Sequence, residues 1–226
     1  MTARVSPPLL CDGPEGAAIT CVLAHGAGSP MDSPFMAFFA AGLAGRGIRV
    51  VRFEFPYMAE RRDGIGRRPP DRTAVLLDTW RAVLACLDPA RTVIGGKSLG
   101  GRMASMIADE AGVLGLLCLG YPFHPPKAPE RTRIAHLREL RTPALILQGT
   151  RDAFGGPGEV EAYGLSPAIR IHWLEDGDHS FKPRRSSGRS EADALGEALE
   201  TAAAFILGLL PAEPAQSSAV VGQDRS

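Results

Sequence analysis

Four short stretches of this 226-residue chain carry residues able to do chemistry, and each directly follows an apolar run: His25-Gly26-Ala27-Gly28, Lys97-Ser98-Leu99-Gly100, Gly149-Thr150-Arg151-Asp152 and Asp176-Gly177-Asp178-His179. A serine hydroxyl is a weak nucleophile at neutral pH and needs a base beside it. An imidazole, with an ordinary pKa of about 6.5, can take its proton and later return it. A carboxylate must then hold that imidazole in one tautomer and balance its positive form. Ser98, Asp152 and His179 supply these types in the chain order Ser, Asp, His, the order used with a nucleophile elbow. Attack on a carbonyl generates an oxyanion, which preorganised backbone N–H groups stabilise. The N–H of Leu99, at a helix start, and that of Ala27, in a turn flanked by glycines, are the candidates.

Each assignment has a plainer competitor. Gly96-Lys97-Ser98 also has the form of the end of a phosphate-binding loop, but that loop needs a glycine where Arg91 stands, so that backbone N–H groups can curl around the phosphates. Ser98 would serve equally as a helix N-cap, and Asp176 or Asp178 would serve as the histidine's partner in place of Asp152. Among the other histidines, His172 in a strand and His136 in a short helix read as structural, and His25 reads as shaping its own turn. His25 and His124, the latter in Tyr121-Pro122-Phe123-His124, are carried as candidate pocket residues. So is Lys97, which either faces the pocket or lies along the strand with its ammonium in solvent.

Elements able to bring these residues together are visible as apolar runs at 19–24, 49–55, 92–95, 114–119, 144–147 and 169–174. Their near-continuous apolar character and alternation with helical periodicity predict α/β architecture, a parallel sheet with helices on both faces. Ligands bind beyond the carboxyl ends of such strands, where all four stretches lie. Helices are expected from Ser33-Pro34 to about Gly45, after Asp71 with Leu77, Trp80, Leu84 and Leu87 on one face, from Ser98 to Ala111 with a stop at Gly112, and from Ser190 to Pro211. The stretches 57–70 and 121–130 read as long loops, and such loops are often functional.

Length suits one domain over 1–210, and the polar 211–226 reads as a mobile tail. Lys and Arg number 25 against 25 Asp and Glu, so the overall charge balance argues for neither nucleic acid nor a membrane surface as partner. Cys11, Cys21, Cys86 and Cys118 lack paired metal-ligand spacing and read as reduced core residues. No signal peptide or membrane span is apparent, which makes a cytoplasmic soluble protein the expectation.

The stretches GGKSLGGRMAS, GYPFHPP, LILQGTRDAFG and DGDHSFKPRRSSGR resemble the α/β-hydrolase superfamily over roughly residues 17–210. More narrowly, they are similar to its small testis-expressed-protein-like and NSL-complex-subunit-like branch, with dienelactone hydrolases as more distant relatives. The resemblance implies an α/β-hydrolase fold with a minimal lid and a Ser98, Asp152, His179 triad. It also marks a departure, because dienelactone hydrolases use a cysteine nucleophile and this chain has a serine.

Two arginine-rich loops flank the expected pocket: Arg61, Arg62, Arg67, Arg68 and Arg72 in one, Lys182, Arg184, Arg185 and Arg189 in the other. Either these cations pair with neighbouring acids, or some of them, Arg62 and Arg185 foremost, hold an anionic group of the substrate by forked hydrogen bonds. The expectation is a serine hydrolase acting on an ester or thioester of a small acyl substrate through an acyl-enzyme, with no metal and no organic cofactor. The rival is an interaction module that keeps the fold without turnover. Peptidase and lyase chemistry, which run on the same constellation, stay open.

Overall fold

Runs that are apolar at every position must be covered on both faces, and the strands here are. In the computed structural model, which describes residues 7–66 and 68–211, seven strands form one sheet: β1 (Leu9–Asp12), β2 (Thr20–Ala24), β3 (Arg49–Phe53), β4 (Thr92–Lys97), β5 (Gly115–Leu119), β6 (Ala144–Gly149) and β7 (Ile169–Leu174). Their order is β1-β3-β2-β4-β5-β6-β7; all neighbours are parallel except β1, which pairs antiparallel with β3. The helices are α1 (Pro34–Ala44), α2 (Pro56–Arg62), α3 (Thr73–Leu84), α4 (Leu99–Ala111), the short α5 (Pro157–Val160) and α6 (Glu191–Gly208).

Successive side chains of a strand point to opposite faces, and the two halves of the core follow that alternation. Val22 and Ala24 join Trp80, Met103 and Ile107 under α3 and α4. Cys21 and Leu23 join Met36, Phe39, Leu43, Ala202 and Ile206 under α1 and α6. The sheet is thus sandwiched, and its carboxyl edge is left for loops.

All six expected strands are present with ends shifted by a few residues, and Gly112 closes α4 in the left-handed conformation. Two expectations need correction. Residues 57–70 are not all loop, because Pro56 starts α2 from its first position and Arg61 and Arg62 form its last turn. The cysteines are not all core residues either: Cys21 and Cys118 are buried, whereas Cys11 and Cys86 are exposed. Residues 212–226 of the expected tail, and Arg67, lie outside the described residues. No helix among the described residues is long and apolar enough to cross a membrane.

Candidate active site

β4 ends at Lys97 and α4 begins at Leu99, leaving Ser98 alone to make the turn. Its backbone sits at φ 49°, ψ −109°, a region that a side chain adopts only when the surroundings force it, at a cost of about 1–3 kcal/mol. The forcing contacts are backbone to backbone. A Cβ on Gly96 would lie 2.0 Å from the Ala24 carbonyl oxygen, and one on Gly100 would lie 2.3 Å from the same atom. Only glycines let strand, turn and helix close up this tightly. Ser98 makes no side-chain capping bond, so its hydroxyl is free of the N-cap role.

That hydroxyl meets the imidazole of His179, with Oγ and Nε2 2.9 Å apart. The other ring nitrogen, Nδ1, lies 2.7 Å from Oδ2 of Asp152. Asp152 is buried, and its carboxylate is held on both oxygens: Oδ2 accepts from Nε2 of Gln148 at 2.8 Å, and Oδ1 accepts from the Phe154 N–H at 2.9 Å. Phe154 also covers the imidazole, with ring centroids 4.3 Å apart. The competing acids are occupied elsewhere. Asp176 accepts from the Arg184 N–H at 2.6 Å and from its Nε at 2.7 Å, which holds its carboxyl below the usual range. Asp178 accepts the Ser180 and Lys182 N–H groups at 2.8 and 3.0 Å.

The turn after β2 is built around His25, which is wholly enclosed. Its Nε2 accepts the Phe55 N–H at 3.1 Å, while Nδ1 lies 2.7 Å from the Gly26 carbonyl. Both nitrogens are therefore used in shaping the turn, and this ring offers nothing to a substrate. The Tyr57 hydroxyl donates to the carbonyls of Gly26 and Ala27 at 3.3 and 3.2 Å. The Gly26 carbonyl and the Ala27 N–H belong to one planar trans peptide and point in opposite directions, so the Ala27 N–H is turned away from Tyr57. The Leu99 N–H, at the first position of α4, has no acceptor within its helix.

A cavity of about 410 Å³ adjoins these groups, lined among others by Gly26, Ala27, Phe35, Lys97, Ser98 and His179. Lys97 does face it. The ammonium donates to the His179 backbone carbonyl and lies over the rings of Phe35 and Phe181 at 5.1 and 5.5 Å. Desolvation in this apolar setting pushes it down to about 8.

The remaining candidates do not join the cavity wall. His124 is buried against Glu159, 2.8 Å from Nε2. Arg62 is committed to Asp32 and Glu54, at 2.9 and 2.6 Å. Arg68, Arg184, Arg189 and Lys182 likewise pair with Asp71, Asp176, Glu197 and Glu191. Arg185 begins a short exposed turn.

Sequence reasoning did not single out Gln148, which is wholly buried. Besides Asp152, its amide reaches the Tyr121 and Gly155 carbonyls at 3.2 Å each, and its Oε1 accepts the Tyr121 N–H at 2.7 Å. The signal was available, because an amide inside the apolar run LILQG must find buried partners.

A family model for the alpha/beta hydrolase domain matches residues 17–207. The carboxymethylenebutenolidase of Pseudomonas putida is 31% identical over 100 residues, 41% of this chain and 39% of that protein. The chain thus matches only about two fifths of the length of this curated relative. Among solved structures, a dienelactone hydrolase from Anabaena variabilis superposes with a TM-score of 0.70 at 21% identity, covering 93% of this chain and 95% of that one. A Xanthomonas campestris protein described as an α/β serine hydrolase without a lid gives 0.67 at 22% identity, covering 91% and 90%. The testis-expressed-like and NSL-subunit-like branch is not among these relatives, and the resemblance stands at the coarser level. With the family match running from just before β2 into the last turn of α6, the chain belongs to the alpha/beta hydrolase family.

Proposed function

We propose that the protein is a serine hydrolase that cleaves an ester or thioester of a small acyl substrate through a covalent acyl-enzyme. The observation that carries this reading is the single imidazole bridging Ser98 Oγ and Asp152 Oδ2, at 2.9 and 2.7 Å. Ser98 Oγ attacks the acyl carbon as its proton passes to His179 Nε2. The carbonyl electron pair moves onto oxygen, where the Ala27 and Leu99 N–H groups receive it. Collapse of the intermediate expels the alcohol or thiol, protonated by His179. Water then attacks the acyl-enzyme, giving its proton to the same nitrogen, and the acid leaves as Ser98 regains its hydrogen.

The relatives' names, a dienelactone hydrolase and a carboxymethylenebutenolidase, support hydrolysis at an ester-type bond. A non-catalytic interaction module has no physical use for a strained serine facing a histidine that is backed by a buried carboxylate. Turnover of small acyl esters by wild type, Ser98→Ala and His179→Gln tests the reading. Each replacement is expected to lower kcat by about 10⁴-fold or more, with melting temperatures kept. Turnover that survives Ser98→Ala would overturn it.

A further inference from the structure

In the proposed reaction the Ala27 N–H receives the oxyanion, which it can do only while its peptide keeps one orientation. The turn that carries it does little to enforce this by itself. Glycines flank Ala27 on both sides, and a Cβ on Gly28 would meet nothing within 4 Å. Such residues leave the adjoining peptides free to rotate. A flip of the Gly26–Ala27 peptide would aim a carbonyl where the N–H had been, because the two groups point in opposite directions.

The far end of the turn is pinned from β3 and α2. Met31 donates its N–H to Glu54 at 3.3 Å and accepts from Arg52 Nη1 at 3.0 Å, and Asp32 accepts from both terminal nitrogens of Arg62 at 2.9 Å. These contacts leave the glycine-flanked middle untouched, and two other side chains close on it. His25 Nε2 accepts the Phe55 N–H, so the ring proton sits on Nδ1 and is donated to the Gly26 carbonyl at 2.7 Å. The Tyr57 hydroxyl donates to the Gly26 and Ala27 carbonyls at 3.3 and 3.2 Å. Among the described residues it is the one side chain bonded to both peptides that meet at Ala27. Tyr57 is itself held firmly. Its ring is wholly enclosed and lies edge-on to His25 at 5.7 Å, and its N–H donates to Asp71 at 2.9 Å.

We infer that Tyr57 is a positioning residue for the oxyanion site: its hydroxyl locks the two peptides around Ala27, so that the N–H and not a carbonyl is presented to a substrate at Ser98. The inference rests on the hydrolase reading and deepens it. A hydrogen bond at the carbonyl of a peptide also polarises that peptide's N–H, so the contact strengthens the donor it orients.

Tyr57→Phe in the full chain keeps the ring and removes only the hydroxyl. Turnover of 4-nitrophenyl butyrate is the first readout, with active sites counted by fluorophosphonate titration so that any unfolded fraction drops out. We expect kcat to fall roughly tenfold, a part of the roughly 10²- to 10³-fold that loss of a whole oxyanion donor costs, with KM kept within about twofold. The second readout is inhibition by 1,1,1-trifluoro-2-pentanone, which carries the same acyl chain. Ser98 Oγ adds to its carbonyl carbon, the serine proton passes to His179 Nε2, and the carbonyl electron pair becomes an oxyanion that needs the same N–H. Its affinity is expected to fall by the same factor as kcat, a match that general loosening of the fold would not produce. An unchanged kcat, a loss carried by KM alone, or wild-type affinity for the ketone would overturn the role of Tyr57 and leave the hydrolase reading standing. Absence of any Ser98-dependent turnover in wild type would overturn both.

Discussion

In the proposed reaction, Ser98 depends on how its neighbours hold it and His179. Lys97, next to it, ties the backbone of His179 to β4, and its stem passes 3.4 Å from where a Cβ on Gly26 would be, in the turn after β2. One side chain therefore links three segments of the site. Lys97→Met keeps its length and removes the ammonium, so we expect kcat to fall about tenfold, the worth of one charge-assisted bond, with KM unchanged. An unchanged kcat would deny the link. The folded lysine sits at about 8 against an unfolded value near 10.5, so between those values the unfolded chain holds more protons. Stability from this group rises with pH there, and melts at pH 7 and 9.5 should show wild type gaining on Lys97→Met. Gln148→Leu would strip Asp152 of one donor and leave the Tyr121 N–H unpaired; a loss of about 3 kcal/mol is expected in denaturant titrations.

At the scale of elements, the close approach of β4, α4 and β2 makes the elbow. Gly100→Ala would drive a Cβ into the Ala24 and His25 carbonyl oxygens, at 2.3 and 2.8 Å, neither of which can yield without moving the sheet. We expect about 3 kcal/mol of destabilisation, or roughly 6–12 °C in melting temperature; a variant melting with wild type would contradict the packing. The buried parallel strands were legible because a strand covered on both faces has no polar positions to blur its pattern, as in Cys21-Val22-Leu23-Ala24. β1 was not legible: it is a four-residue edge strand with alternate positions exposed, too short for periodicity to register. α2 was hidden by the Arg, Gly and Pro residues that follow it, although Pro56 at its first position was a usable sign.

Across the whole molecule, the meeting of Ser98, His179 and Asp152 was readable from chain order and the ends of apolar runs, whereas the contacts around it were less so. The Tyr57 bond to the Gly26 carbonyl and the Arg62 pair with Asp32 join residues 31 and 30 positions apart, which composition does not encode. Global stability meets the site at Asp176, whose carboxylate fastens Arg184 and Arg151 just before the histidine. Arg184 holds its folded pKa below the unfolded value, so its contribution is present above the ordinary carboxylate range and is lost as pH falls through the lower folded value. Asp176→Asn should therefore melt below wild type at pH 7, with the gap narrowing in strong acid; a constant gap would refute the assignment.

The whole account requires Ser98 to be a nucleophile made reactive by His179. Intact-mass and peptide mapping after treatment with a fluorophosphonate measure this directly. The account predicts one adduct, on Ser98, absent from Ser98→Ala and formed far more slowly in His179→Gln. An adduct on another residue, equal labelling of wild type and Ser98→Ala, or no labelling of either would contradict it.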